Sequence, residues 1–275
     1  MSTRVKFTNE ILEYVKNRAL VQELSETDTL RVQQLPARIQ TMAQNDFKFH
    51  HCQPEIILLC VRWYLRYALT YRDLVEMMSE RGVSVSHTTI MRWVHKYSAI
   101  FNKRLRRKLK PTGESWKLDE TYVRVKGQWK YLYRAIDKDG NTLDFYLAAH
   151  RNQLAAMRFL KKLLGAAHTT TPRVINTDKN PSYGAAINAA KASEALSPET
   201  EHRDVKYLNN RVECDHRRPK RLIGHGLGFG SFRTAQQTIS GYEAMNMVRK
   251  GQATPRPGVY LDEVKLIEGL FKKIG

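Results

Sequence analysis

Three runs rich in β-branched and aromatic residues follow one another almost without pause: Ser115–Lys126, Trp129–Asp137 and Thr142–Ala149. Only Gly127-Gln128 separates the first two, and only Lys138-Asp139-Gly140-Asn141 the last two. Connections that short join antiparallel neighbours, because a parallel crossover needs a dozen residues or more. The chain after Pro111-Thr112-Gly113, a natural linker, therefore opens with two hairpins. Then the period changes. Leu154, Met157, Leu160 and Leu164 give Gln153–Leu164 the spacing of a helix. A short strand over Arg173–Asn176 leads to Asp178, a helix spans about Tyr183–Ala195, and a strand covers about His202–Tyr207. A further helix begins near Asn210. This order describes an α/β domain with a mixed five-stranded sheet and helices on both faces.

The segment before the linker reads as all-α. Pro54 suits the first turn of a helix whose apolar face carries Ile57, Cys60, Val61 and Tyr64. Thr70, with Asp73 three residues on, caps a second helix that Gly82 stops. Ser86 caps a third, expected to run to about Tyr97, with Ile90, Trp93, Val94 and Tyr97 on one face. Two helices, a short Gly-containing turn and a third helix make a helix-turn-helix signature. His87, Thr88, Met91, Arg92, His95 and Lys96 fall off the apolar face of the third helix. They suit a DNA major groove, with Arg92 placed for a guanine edge, although the polar face of a plain helical bundle has the same pattern.

Charge favours the first reading. The chain has 46 Lys and Arg against 27 Asp and Glu, a net of +19, which suits a polyanionic partner. Residues 47–113 alone hold 13 basic and 4 acidic residues, a net of +9. Lys103, Arg104, Arg106, Arg107, Lys108 and Lys110 read as a segment that tracks phosphates. No stretch is apolar enough to span a bilayer, and the N-terminus has no apolar core of a secretory signal. Cys52, Cys60 and Cys214 form no disulfide framework, so a reducing cytoplasm is expected. His50-His51-Cys52 with Cys60 suits no zinc spacing.

Among the acids, Asp137, Asp139 and Asp144 flank a turn and read as structural. Asp119 lies inside the first strand, where a charge is unexpected. Asp178 sits just past a strand end, where ligands of α/β sheets gather. Glu213 lies on a helix, where Asn210-x-x-Glu213 also matches a capping box. Singly, each acid has a structural explanation. Three acids on strand, strand end and helix suit two Mg²⁺ ions that clamp an in-line phosphoryl transfer.

At this point the chain resembles the DDE transposases of bacterial insertion sequences, and the IS-six family above all. The likeness rests on Tyr71-Arg72-Asp73-Leu74, His87-Thr88-Thr89-Ile90 with Arg92-Trp93, Leu118-Asp119-Glu120-Thr121-Tyr122, and Tyr131-Leu132-Tyr133-Arg134-Ala135. It continues through Asn176-Thr177-Asp178-Lys179 and Asn209-Asn210-x-x-Glu213-Cys214-Asp215-His216, and covers roughly residues 47–250 in order. In between, 34 residues separate Asp178 from Glu213, and Lys220 follows Glu213 by seven, as in the family pattern.

The resemblance implies a ribonuclease H-like domain with Asp119, Asp178 and Glu213 as catalytic metal ligands. It implies Mg²⁺ as cofactor, with Mn²⁺ able to substitute, and Lys220 near the cut. It also implies binding of double-stranded DNA, both terminal inverted repeats and target, release of 3′ hydroxyls, and cointegrate formation. Pro219 is expected to kink or end the helix and could turn Lys220 away. His216, three residues after Glu213, shares its face. The competing reading is a transposase-derived regulator that binds DNA without cutting it.

The expected organisation is a helical extension over 1–46, a helix-turn-helix DNA-binding domain over 47–112, the catalytic domain over 113–250, and a tail over 251–275. Candidate DNA contacts are His87, Thr88, Arg92, Lys96, Arg104, Arg107, Lys108 and Lys220. Gly224, Gly226, Gly228 and Gly230 read as a DNA-facing loop, and Val264, Ile267, Leu270 and Phe271 as a short docking helix. Residues 1–46 have no family counterpart. Their apolar stripe (Ile11, Leu12, Val15, Leu20, Leu24) is expected to build part of a homodimer or larger homo-oligomer. The expected location is the bacterial cytoplasm, on nucleoid or plasmid DNA.

Overall fold

The structure, a computed structural model, describes residues 52–205, 210–225, 228–253 and 260–271. The helical expectation for residues 1–46 lies outside them, as do His50 and His51. Helix α1 (Pro54–Arg66) starts with Pro54 in its first turn, where the missing N–H is no loss. It buries Ile57, Cys60, Val61 and Tyr64, and also Leu58, Trp63 and Leu65. In α2 (Tyr71–Ser79) the Thr70 hydroxyl accepts from the Asp73 N–H, and the Asp73 carboxylate accepts from the Thr70 N–H at 2.7 Å. This is the capping box that the spacing predicts. The chain turns at Gly82, with φ +71°, and Ser86 caps α3. Helix α3 runs His87–Leu105, well beyond Tyr97, because Phe101 and Leu105 continue the buried row of Ile90, Trp93, Val94 and Tyr97. A 3₁₀ turn, Arg106–Lys108, then ends on exposed cations.

Strands β1 (Ser115–Val125), β2 (Gln128–Asp137) and β3 (Thr142–Ala148) form the two expected hairpins. On the far edge of β1, β4 (Val174–Asn176) and β5 (Glu201–Arg203) add in parallel, which gives the order β3-β2-β1-β4-β5. With α4 (Gln153–Leu164), α5 (Pro181–Ala192), α6 (Asn210–His225), α7 (Phe232–Arg249) and α8 (Tyr260–Phe271), this is the expected mixed five-stranded sheet with flanking helices. β5 stops at Arg203, short of the expected end at Tyr207, which lies outside the described residues.

The pleat divides the sheet residues between two layers. Trp116 and Leu118, with Tyr133, Ala135 and Leu143, pack on Phe159, Leu160 and Leu163 of α4 and on Tyr183, Ala186 and Ile187 of α5. On the other side, Val123, Val125, Leu132, Phe145 and Leu147 pack on Ala235 and Ile239 of α7. Consecutive residues of β1 therefore face opposite layers, Asp119 toward α6 and α7 and Glu120 toward α4 and α5.

Helix α7 has no counterpart in the sequence reading. It buries Thr238, Ser240, Glu243 and Asn246 along with its apolar residues, so no amphipathic stripe marks it. Gly241 lets it approach α1 and α3: a Cβ there would lie 2.5 Å from Ser98 Oγ and 2.7 Å from Leu65 Cδ2. Helix α8 docks Ile267 and Phe271, with Phe271 edge-on to Tyr97 of α3, as the tail pattern predicts. The linker is fastened too. Thr112 N–H donates to His168 O, and Gly113 N–H donates to the Asp137 carboxylate, each at 3.0 Å. Asp137 also accepts from the N–H groups of Asp139 and Asn141, the structural role expected of a turn acid.

Candidate active site

Asp119 is set by the alternation of β1, which aims it at α6. There His216 Nε2 lies 3.2 Å from Asp119 Oδ2. His216 is buried, and among the described residues its Nδ1 has no partner, so a proton on Nε2 makes the contact. Glu213 occupies the first turn of α6, three residues before His216, and is exposed. The N-cap alternative for Glu213 involves Asn210, whose side chain lies outside the described set. Asp178 stands two residues beyond β4, which pairs with β1 through Lys117 and Asn176. One oxygen accepts from the Asn180 N–H at 3.1 Å, and the other lies 3.7 Å from Arg151 Nη2.

The structure thus puts the three acids on neighbouring elements without drawing them into one ligand set. Among the described residues, no three His, Cys, Asp or Glu side chains are close enough together to hold a metal ion.

Two residues join this region that the motifs do not single out. Glu120 points away from Asp119 into the α4–α5 layer, where it accepts from Tyr183 Oη at 2.6 Å and Asn180 Nδ2 at 3.2 Å. Arg151, just before α4, pairs with the Glu120 carboxylate and links it to Asp178. Burial pushes the Glu120 pKa up, against the Tyr183 hydrogen bond and the Arg151 charge. The available signal was the pair Asp119-Glu120 itself, since two successive strand acids must face opposite layers. Arg151, in a loop, gave none.

A second charged group fixes α6. Arg134, opposite Asp119 in the β1–β2 register, donates to Glu243 of α7 at 2.8 and 2.9 Å and to Asp215 of α6 at 2.7 Å. Lys250 reaches Asp215 from the other side at 2.8 Å. Burial raises the Asp215 pKa, but Arg134 and Lys250 outweigh it and hold the carboxyl below its ordinary range. Helix α6 does not end at Pro219; it continues to His225. It is anchored at Asp215 and His216 before the proline and at buried Leu222 after it, contacts that offset the lost backbone bond. Lys220 is exposed on this helix.

On α3, His87, Thr88, Arg92 and Lys96 are exposed, and Thr88, Arg92 and Lys96 recur every four residues along one face. Arg107 and Lys108 are exposed on the 3₁₀ turn. Arg104 differs. Its guanidinium donates to Leu270 O at 3.1 Å and lies 5.2 Å from the Phe271 ring centroid, so it is engaged with α8.

A family model described as a DDE domain matches residues 113–252. The transposase for insertion sequence-like element IS431mec of Staphylococcus aureus (strain Mu50) is 38% identical over 206 residues, which is 75% of this chain and 89% of the relative. The S. aureus transposase for insertion sequence element IS257 in transposon Tn4003 matches to the same extent. Uncharacterized protein pYV0051 of Yersinia pseudotuberculosis is 53% identical over 74 residues, 26% of this chain and 69% of that protein. Among solved structures, the HTLV-2 integrase catalytic core domain in complex with magnesium aligns with 50% of this chain and 86% of its own. It does so at 17% identity and a TM-score of 0.35.

Proposed function

Because the chain belongs to the DDE transposases of bacterial insertion sequences, within the IS-six family, we propose that it cuts and rejoins DNA at the ends of its element. In this reading it binds the terminal inverted repeats, releases 3′ hydroxyls and transfers them to target DNA, giving cointegrates. The observation that carries it is the meeting of β1 and α6. Asp119 bonds to His216 on the helix that also bears Glu213, while Asp178 stands past the end of the strand paired to β1.

The donor set fits Mg²⁺ or Mn²⁺ by chemistry, since all three candidates offer hard carboxylate oxygens. Two such ions, when bound, stabilise the attacking and leaving oxygens of the phosphoryl transfer. Asp119, Asp178 and Glu213 are the residues that would hold them. Asp119 and Asp178 are partly exposed, and each has one oxygen against a nitrogen that can be displaced, His216 Nε2 or Arg151 Nη2. His216 orients Asp119, and the Arg134–Asp215 pair holds α6 in register with β2. Arg92, with Thr88, His87 and Lys96, enters the major groove of the repeat, while Arg107, Lys108 and Lys220 contact phosphates. Arg104 joins them only after leaving α8. Two DNA ends must meet for transfer, so the working form is a homodimer or larger homo-oligomer.

The test is a labelled inverted-repeat end incubated with the full chain, with Mg²⁺ or Mn²⁺ or with chelator. Metal-dependent nicking at the element boundary is expected. Tight, specific binding with no nicking under any divalent metal would instead make the protein a regulator.

A further inference from the structure

The most exposed large apolar side chains of the described sheet are Trp129 and Tyr122, at 62% and 53%. They lie side by side on the β1–β2 hairpin, on the layer that Glu120 faces. The register places Glu120 opposite Tyr133, Tyr122 opposite Tyr131, and Arg124 opposite Trp129. The rings form a row: Tyr122 is 6.3 Å from Trp129 and 5.4 Å from Tyr131, centroid to centroid. Arg124 stands 5.9 Å from the Trp129 ring centroid, and exposed Lys126 occupies the turn.

This hairpin is also braced. Lys126 N–H donates to Phe229 O at 2.7 Å, Phe229 N–H donates to Arg124 O at 3.1 Å, and the two chains form a parallel bridge at Val125 and Phe229. Gly228, with φ +97°, makes this possible, since a Cβ there would lie 2.9 Å from Arg124 O. The rings are therefore held in place beforehand. Folding makes little use of Trp129, so its exposure calls for a partner.

The arginine beside the rings and the +19 charge of the chain select a polyanion over an apolar protein surface. A paired duplex keeps its base faces covered, so flat rings find partners only on unpaired bases, with the guanidinium adding cation–π contact. The row also continues into the candidate active site. Tyr122 is two residues from Glu120, which Arg151 joins to Asp178. At a strand rise of about 3.4 Å that is about 7 Å, the reach of one or two nucleotides.

We propose that Trp129 and Tyr122, with Arg124, form a stacking platform for unpaired nucleotides of the DNA strand next to the cut. The proposal rests on the transposase reading and adds to it that the end is bound partly melted.

Trp63, Trp93 and Trp116 are buried, so of the four tryptophans Trp129 alone is open to quenching by bound DNA. The full-length protein is titrated, in chelator, with an inverted-repeat duplex whose end is either blunt or carries four unpaired thymidines. Emission should be quenched by the frayed end and much less by the blunt one. Trp129→Ala should weaken frayed-end binding about tenfold and leave blunt-end binding unchanged, with Trp129→Phe restoring most of the loss. Equal quenching by the two ends, or an equal effect of Trp129→Ala on both, would overturn the platform. Since no metal is present, failure here leaves metal-dependent cleavage untouched, and failure of cleavage leaves this result standing.

Discussion

Arg134 and Arg151 each stand between two carboxylates, on opposite sides of the central sheet. Arg134 is fully buried, donates at 2.7 to 2.9 Å, and joins β2 to both α6 and α7. Arg151 is 39% exposed, and its contact with Asp178 is 3.7 Å long. In the first pair Glu243 is fully buried, and Asp215, 18% exposed, is held by Arg134 and Lys250 together. In the second pair the Glu120 carboxylate is buried, while Asp178 is 30% exposed at the rim and can exchange its partner. A buried arginine of the first kind fixes a helix in place, because an uncompensated charge there is costly. An arginine of the second kind holds a carboxylate that can be given to another cation.

One substitution made on each side puts this to the test. Asp178→Asn should reduce strand cleavage on the order of 10³-fold or more while DNA binding and melting temperature stay unchanged. Asp119→Asn and Glu213→Gln should do the same. Asp215→Asn, the same chemical change beside Arg134, should instead lower the melting temperature. A cleavage assay run beside calorimetry distinguishes the two, and a stable Asp178→Asn variant that cuts normally would remove Asp178 from the site.

Next in size is the loss of the buried cation. Arg134→Met leaves Glu243 charged in a dry layer while Asp215 keeps Lys250, and should cost about 3–5 kcal/mol of stability. In a chain of this length that is a drop on the order of 10 °C, read by thermal unfolding. A variant as stable as the parent would mean that Arg134 does not lock α6.

Arg151→Gln should cost less stability than Arg134→Met, because Tyr183 and Asn180 still donate to the Glu120 carboxylate. Removing a cation some 4 Å from Asp178 should tighten Mn²⁺ binding about fivefold, measured by titration calorimetry without DNA. Unchanged affinity would show that Arg151 and metal do not compete for the carboxylate.

The same contrast decides what the sequence could show. The hairpins and the caps at Thr70 and Ser86 were legible, because each depends on local spacing and turn chemistry; the parallel pairing of β4 and β5 was not, because it joins residues far apart in the chain. Asp119 was legible as an unexpected charge in a strand, and Asp178 by its place past a strand end. Helix α7 was not, because Glu243 and Asn246 look like surface residues until Arg134 and the neighbouring helices are in place. Nor was Arg151, whose partners lie 31 residues back and 27 residues ahead in the chain. The extension of α3 past Tyr97 was hidden for a related reason: Phe101 and Leu105 sit among cations, which drew the reading toward a solvated helix end.

The smallest expected effect concerns a buried group without a carboxylate bound to it. His168 is buried between the linker and β3, with Nε2 donating to Leu143 O at 2.8 Å. Burial lowers its pKa below the ordinary histidine value; the Leu143 carbonyl works against this shift, and the nearby Arg106 charge adds to it. A depressed folded pKa means that the unfolded chain takes up the proton first as pH falls. The stability tied to neutral His168 is thus fully present above pH ~6.5. It is lost as pH drops through the folded value, with a slope of no more than about 1.4 kcal/mol per pH unit. His168→Gln keeps a donor for Leu143 O and cannot take a proton, so its stability should fall less steeply between pH 6.5 and 5 than that of the parent. Urea unfolding at a series of pH values measures the difference. Two parallel curves would mean that His168 is already charged in the fold, and that burial alone does not separate neutral from ionised groups in this molecule.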